Sequence, residues 1–135
     1  MRILAIDYGE KRMGFAIGDC SRQTPTLLKP LIRKKITRDI EHIRKILSEY
    51  EIQKIIIGYP LNMNGSKSTM VQKIEDFRNI LKKKIGIDIE YVDERLTSFE
   101  AEEMLKPILP DYRKRKKSID STAALIILNN YLGKK

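Results

Sequence analysis

The residues from Ile3 to Asp19 hold two short apolar runs, Ile3-Leu4-Ala5-Ile6 closed by Asp7 and Gly14-Phe15-Ala16-Ile17-Gly18 closed by Asp19, near enough to pair as adjacent strands. An unbroken apolar run reads as a strand buried on both faces, so layers must pack above and below it. A charge at the end of such a strand has to be paired or bound to metal if it is buried. Gly9, Gly14 and Gly18 can supply turns or let another backbone or a ligand come close. The combination points to phosphate chemistry; the ordinary alternative is a hairpin whose acid ends in solvent.

Downstream, the apolar spacing alternates between strand and helix. Thr24 to Ile32 reads as a third strand, with Pro25 and Pro30 placing it at a sheet edge, where a missing donor costs little. Ile36, Ile40, Ile43, Leu47 and Tyr50 recur at helical spacing. Lys54 to Gly58 is a short buried strand ending in a Gly-Tyr-Pro turn, followed by a polar loop containing Asn62, Asn64 and Gly65. Val71, Ile74, Phe77, Leu81 and Ile85 mark a second helix, whose Lys82, Lys83 and Lys84 complement the negative end of its macrodipole. Ile87 to Val92 is a further strand with Asp93, Glu94 and Arg95 at its carboxyl end. Thr97 and Glu100 form a capping box for a helix carrying Ala101, Met104, Leu105 and Ile108. Ser118 can cap a last helix, Ile119 to Leu132, that is apolar nearly all round. This order predicts one α/β domain over residues 1–135. Its five-stranded mixed sheet combines a three-strand antiparallel meander with two parallel strands, and helices cover both faces.

A chain of 135 residues buries roughly two thirds of its unfolded surface and needs no staple. No apolar run approaches the ~20 residues of a membrane span, and the four apolar residues after Arg2 do not make a signal peptide, so a cytoplasmic protein with no membrane partner is expected. Cys20 is the only cysteine and His42 the only histidine, which excludes an intramolecular disulfide, a structural zinc site and any histidine triad not built on His42. His42 falls outside the apolar stripe of its helix and is expected to face solvent. Lys and Arg number 27 against 18 acids, a net charge of +9, and that excess favours polyanions, nucleic acid first among them.

Active groups in open sheets gather at the carboxyl ends of parallel strands. Asp7 and the pair Asp93-Glu94 stand at such ends, and Asp120 lies in the first turn of the last helix. Hard oxygen donors of this kind suit Mg²⁺ or Mn²⁺, which can activate water and neutralise a phosphoryl group in phosphodiester hydrolysis. Each acid also has an ordinary reading: Asp120 as a dipole partner, Glu94 paired with Arg95, Asp93 turned to the other face of its strand. Lys11 and Arg12, in the turn after Asp7, can hold a phosphate. The run Arg113-Lys114-Arg115-Lys116-Lys117 can ride a nucleic-acid backbone.

Four segments, in order, carry a resemblance over nearly the whole chain: Ile6-Asp7-Tyr8-Gly9 with Arg12, Gly14 and Asp19; residues 58–65; Val92-Asp93-Glu94-Arg95-Leu96-Thr97-Ser98; and Asp120-Ser121-Thr122-Ala123-Ala124. The chain resembles the YqgF or RuvX family, Holliday junction resolvase-like proteins of the ribonuclease H-like fold associated with pre-16S rRNA cleavage. The resemblance implies a three-acid metal site on Asp7, Glu94 and Asp120, with Asp93 in reserve, and one or two Mg²⁺ or Mn²⁺ ions. Expected substrate contacts are Lys11, Arg12, Asn62, Arg95, Arg113, Lys114 and Arg115. Wider relatives use a fourth carboxylate one helical turn after the last acid, and here that position is Ala123. The implied activity is 5′-end processing of pre-16S rRNA, with four-way DNA as the alternative substrate and a catalytically silent nucleic-acid binder as the alternative outside enzymology. The Asp-x-Gly strand pair also resembles the phosphate hairpin of actin-like ATPases, whose two lobes this length does not supply.

Overall fold

The computed structural model describes residues 1–19, 25–61, 64, 66–93 and 119–133, and in the last helix the side chains of 123–132. Among the described residues, five strands and three helices follow one another: β1 (Arg2–Asp7), β2 (Arg12–Asp19), β3 (Thr26–Ile32), α1 (Ile36–Glu49), β4 (Lys54–Tyr59), α2 (Val71–Ile85), β5 (Asp88–Asp93) and α3 (Ile119–Gly133). The sheet order is β3-β2-β1-β4-β5. β1 pairs antiparallel with β2, and β2 with β3, whereas β4 runs parallel to both β1 and β5. The predicted mixed sheet is therefore the observed one. Its parallel half arises because α1 and α2 provide the crossovers that parallel neighbours require. Pro30 lies in β3, an edge strand, as its missing N–H demands.

Period-two alternation sorts the strand residues onto two cores. Leu4, Ile6, Met13, Phe15, Ile55, Ile57 and Ile89 pack with Ile40, Ile43, Ile74, Phe77 and Leu81 on the face covered by α1 and α2. Ile3, Ala5, Ala16, Ile56 and Val92 meet Ala124, Leu125, Ile127, Leu128 and Tyr131 of α3 on the other. The small residues on this second face let α3 lie close: a Cβ built at Gly18 would sit 2.6 Å from Leu128 Cδ2. Residues 124 to 128 of α3 are buried in succession, on every side of the helix, which accounts for its being apolar nearly all round rather than striped. Among the described residues, no helix is long and apolar enough to cross a membrane.

Two readings of the sequence are corrected at the edges of elements. His42 does not face solvent: it is half-buried, and its ring lies 5.8 Å from that of Phe15, because the helix turns position 42 toward β2. Tyr59 continues β4 instead of starting a turn, since its register partner Asp93 extends the ladder with β5. The helix expected from Thr97, the basic run Arg113 to Lys117, the Ser118 cap and Cys20 lie outside the described residues.

Candidate active site

Asp7 is the last residue of β1 and is half-buried. It continues the Ile3–Ala5 alternation, so it belongs to the face that α3 covers. Its register partner on β2 is Gly14. The β2–β3 ladder slips between Met13 and Phe15, so an irregularity of the kind that re-aims side chains beside active sites adjoins this acid.

The direction of α3 decides what faces Asp7. Leu128 packs on Gly18, which pairs with Ile3 at the start of β1, and the Tyr131 ring lies 5.1 Å from Lys54 Nζ at the start of β4. The carboxyl half of α3 thus covers the amino ends of the parallel strands, and its amino half runs toward their carboxyl ends. Four strand residues from Ile3 to Asp7 span about 13 Å. Eight helical residues from Leu128 back to Asp120 span about 12 Å. Those two lengths are similar, so the amino end of α3, which includes Asp120, lies toward the end of the sheet at which β1 finishes in Asp7.

Behind Asp7, the turn into β2 is clamped from the α1 side. Arg33 donates from Nη1 to the Gly9 carbonyl at 3.1 Å and from its backbone N–H to the Lys11 carbonyl at 2.9 Å. Its guanidinium stacks 4.7 Å from the Tyr8 ring centre, and its Nε meets Asp39 Oδ2 at 3.1 Å. Burial alone would lower the Arg33 pKa, yet its hydrogen bonds to Tyr8 and Asp39 outweigh that and hold it above the usual arginine value. Asp39 is 1% exposed, and its other oxygen accepts from the Lys34 N–H. At the turn itself, Glu10 meets Lys73 of α2 at 2.7 Å, and this partner keeps the Glu10 carboxyl below its ordinary value. A side chain at Gly9 would run into the Arg12 carbonyl, which is why the turn needs glycine there.

Lys11 and Arg12 are exposed at the tip that this clamp fixes, next to Asp7. Asp93 ends β5 in an exposed position and follows Val92, which belongs to the α3 face, so alternation puts it on the opposite face from Asp7. Asn62, Glu94, Arg95, Arg113, Lys114 and Arg115 lie outside the described residues, as does the Asp120 side chain. Among the described residues, no three His, Cys, Asp or Glu side chains converge as metal ligands. Ala123 is half-buried and offers no oxygen one turn after Asp120.

Arg33 and Asp39 are absent from the sequence reading. The available signal was Asp39 itself: at i and i+4 to Ile43 and i+7 to Ile46, it interrupts the buried flank of α1, and a buried acid needs a cation.

A five-stranded mixed sheet in which an antiparallel β1–β3 meander is continued by parallel β4 and β5, with helices on both faces, is the ribonuclease H-like fold. The Thermus thermophilus RuvC structure in complex with a Holliday junction substrate shares this fold, with a TM-score of 0.60 at 12% sequence identity over 99% of this chain and 96% of that one. The family model described as "RuvX: Holliday junction resolvase" matches residues 1–134, and the chain belongs to that family. A relative from Natranaerobius thermophilus is 41% identical over 132 residues, 98% of this chain and 94% of that protein. Another, from Heliobacterium modesticaldum, is 36% identical over 135 residues, 100% of this chain and 91% of that protein. Both carry the name "Putative pre-16S rRNA nuclease".

Proposed function

We propose that this chain is a divalent-metal-dependent endonuclease that hydrolyses phosphodiester bonds in structured RNA, with the 5′ end of the pre-16S rRNA as its target. The reading of hydrolysis is supported by Asp7 standing at the carboxyl end of the central strand and by the amino end of α3 running toward that same end of the sheet. The choice of RNA is supported by the name borne by relatives that align over nearly the full chain.

Nucleases of this fold use divalent metal ions. Asp7, Glu94 and Asp120 make an all-oxygen donor set, which fits Mg²⁺ or Mn²⁺ and disfavours softer metals. When bound, such an ion supplies an acidified water and neutralises charge on the phosphoryl group. The remaining work falls to the chain. Arg12 grips non-bridging phosphate oxygens with its planar fork, and Lys11 adds a point charge on a neighbouring phosphate. Arg33 is a positioning residue. By holding the Gly9 and Lys11 carbonyls it fixes the turn, so the scissile phosphate is presented at Asp7 with little loss of freedom left to pay. Asn62, Arg95, Arg113, Lys114 and Arg115 extend the contact along the substrate.

The test compares cleavage of a pre-16S 5′-leader transcript and of a four-way DNA junction by the wild-type protein and Asp7→Asn, with Mn²⁺ present. Wild-type cleavage of the transcript that vanishes in Asp7→Asn, while RNA binding persists, is the expected result. Unchanged cleavage in Asp7→Asn removes the site. The description of the family model favours a second reading, a DNA junction resolvase; preferential, symmetric cutting of the junction would establish it.

A further inference from the structure

We propose that the groove between the β3 edge and α1 is a second contact for nucleic acid, taking the phosphate backbone of the strand that runs on from the acid-bearing end of the sheet. This rests on the reading of the chain as an RNA-acting protein. The groove encloses about 550 Å³, with Leu31 and Ile32 as its apolar wall and Lys34, Arg38 and Lys45 as its cations. Lys34, Arg38 and Lys45 are exposed and form no ion pair among the described residues. Arg38 and Lys45, seven residues apart, lie about 10 Å from each other along one side of α1, and Lys34 precedes the helix at its amino end.

The two acids that line the groove are already engaged. Asp39 is buried against Arg33 at 3.1 Å, and Glu41 meets Arg44 at 3.5 Å. The lining therefore carries three exposed cations against one exposed carboxylate, Glu41, and keeps a positive excess. Ile32, 65% exposed, offers an apolar surface to a ribose or base beside those charges.

The groove is continuous with the active end. Ile32 is the register partner of Arg12, and the Arg33 N–H is bonded to the Lys11 carbonyl, so the phosphate-gripping tip and the groove share one backbone junction. A strand gripped at Arg12 that passes over Ile32 meets Lys34, then Arg38, then Lys45. Neither the acids nor the loop after β5 is needed for this contact.

The experiment measures binding of a labelled single-stranded oligoribonucleotide by fluorescence anisotropy in EDTA, where cleavage does not intervene, over a series of KCl concentrations. Arg38→Gln/Lys45→Gln is compared with Lys83→Gln/Lys84→Gln, which removes the same charge at the far end of α2. Losing two phosphate contacts should lower the slope of log K against log salt by about 1.4 and weaken binding roughly 25-fold at 0.1 M salt, with the α2 pair leaving the slope unchanged. If the α1 pair fails to fold, Lys34→Gln, outside the helix, should lower the slope by about 0.7. Equal loss from both pairs, or loss from neither, overturns the groove. So does a wild-type chain that dimerises through this face, seen as a concentration-dependent mass that Arg38→Gln/Lys45→Gln abolishes. Because binding is read without turnover, the groove can fail while wild-type RNA cleavage survives, and it can stand if cleavage is never found.

Discussion

Gly18→Ala tests the seating of α3 on the sheet, on which the placement of Asp120 relative to Asp7 depends. The added methyl would arrive 2.6 Å from Leu128 Cδ2 and 3.1 Å from both Cδ1 and Cγ. Ordinary carbon contact begins near 3.4 Å, so about 0.8 Å must be absorbed by a leucine that is itself fully buried. Overpacking of this kind costs about 1–3 kcal/mol. For a domain of this size that means a fall in Tm of roughly 3–12 °C, and urea unfolding should show a lower midpoint with an unchanged slope. Leu128→Ala alone should cost about 2–5 kcal/mol through its cavity. In the double variant the alanine methyl occupies part of the space that the leucine vacates. The double loss should then fall short of the sum of the single losses by about 1 kcal/mol or more. Strict additivity would mean that Gly18 and Leu128 do not touch, and the seating of α3 on the sheet would fail with it.

Arg33→Met leaves Asp39 buried without its cation and should destabilise the fold by about 3–5 kcal/mol; Arg33→Met/Asp39→Leu should recover much of that in the same urea titration, and a loss below ~1 kcal/mol for the single variant would refute the clamp. Lys54 is pushed up to about 12, chiefly by its hydrogen bond with Tyr131 and also by Glu90. A cation whose pKa is higher folded than unfolded stabilises the fold at pH values below the unfolded pKa, and that contribution disappears as pH rises toward 12. Wild-type protein should therefore exceed Lys54→Met in stability near pH 9, and the gap should close between about pH 10.5 and 12; a gap constant across that window contradicts the assignment.

The sheet was legible because its information is local. Unbroken apolar runs such as Ile55-Ile56-Ile57 announce two-sided burial, and the switch from meander to strand-helix alternation leaves few ways to order five strands. Pro30 marked the edge for the same reason. Asp7 stood out as an acid closing an apolar run, and it does end β1 in a half-buried position. The Arg33–Asp39 pair could not be chosen in advance: with 27 basic residues available, nothing local says which one meets a buried aspartate, or that its other donors hold the Gly9 carbonyl. His42 went astray because its burial depends on the angle at which α1 crosses β2, a tertiary quantity that helical spacing does not contain. The close fit of Leu128 on Gly18 is likewise invisible until the α3 register on the sheet is known.

The most direct test of the three-acid site is anomalous diffraction from crystals soaked in Mn²⁺. The account predicts a peak bonded to a carboxylate oxygen of Asp7 and within reach of Glu94 and Asp120, and its disappearance in Asp7→Asn crystals. A saturating soak that leaves this end of the sheet without a peak, or one in which the ion binds without Asp7, contradicts it.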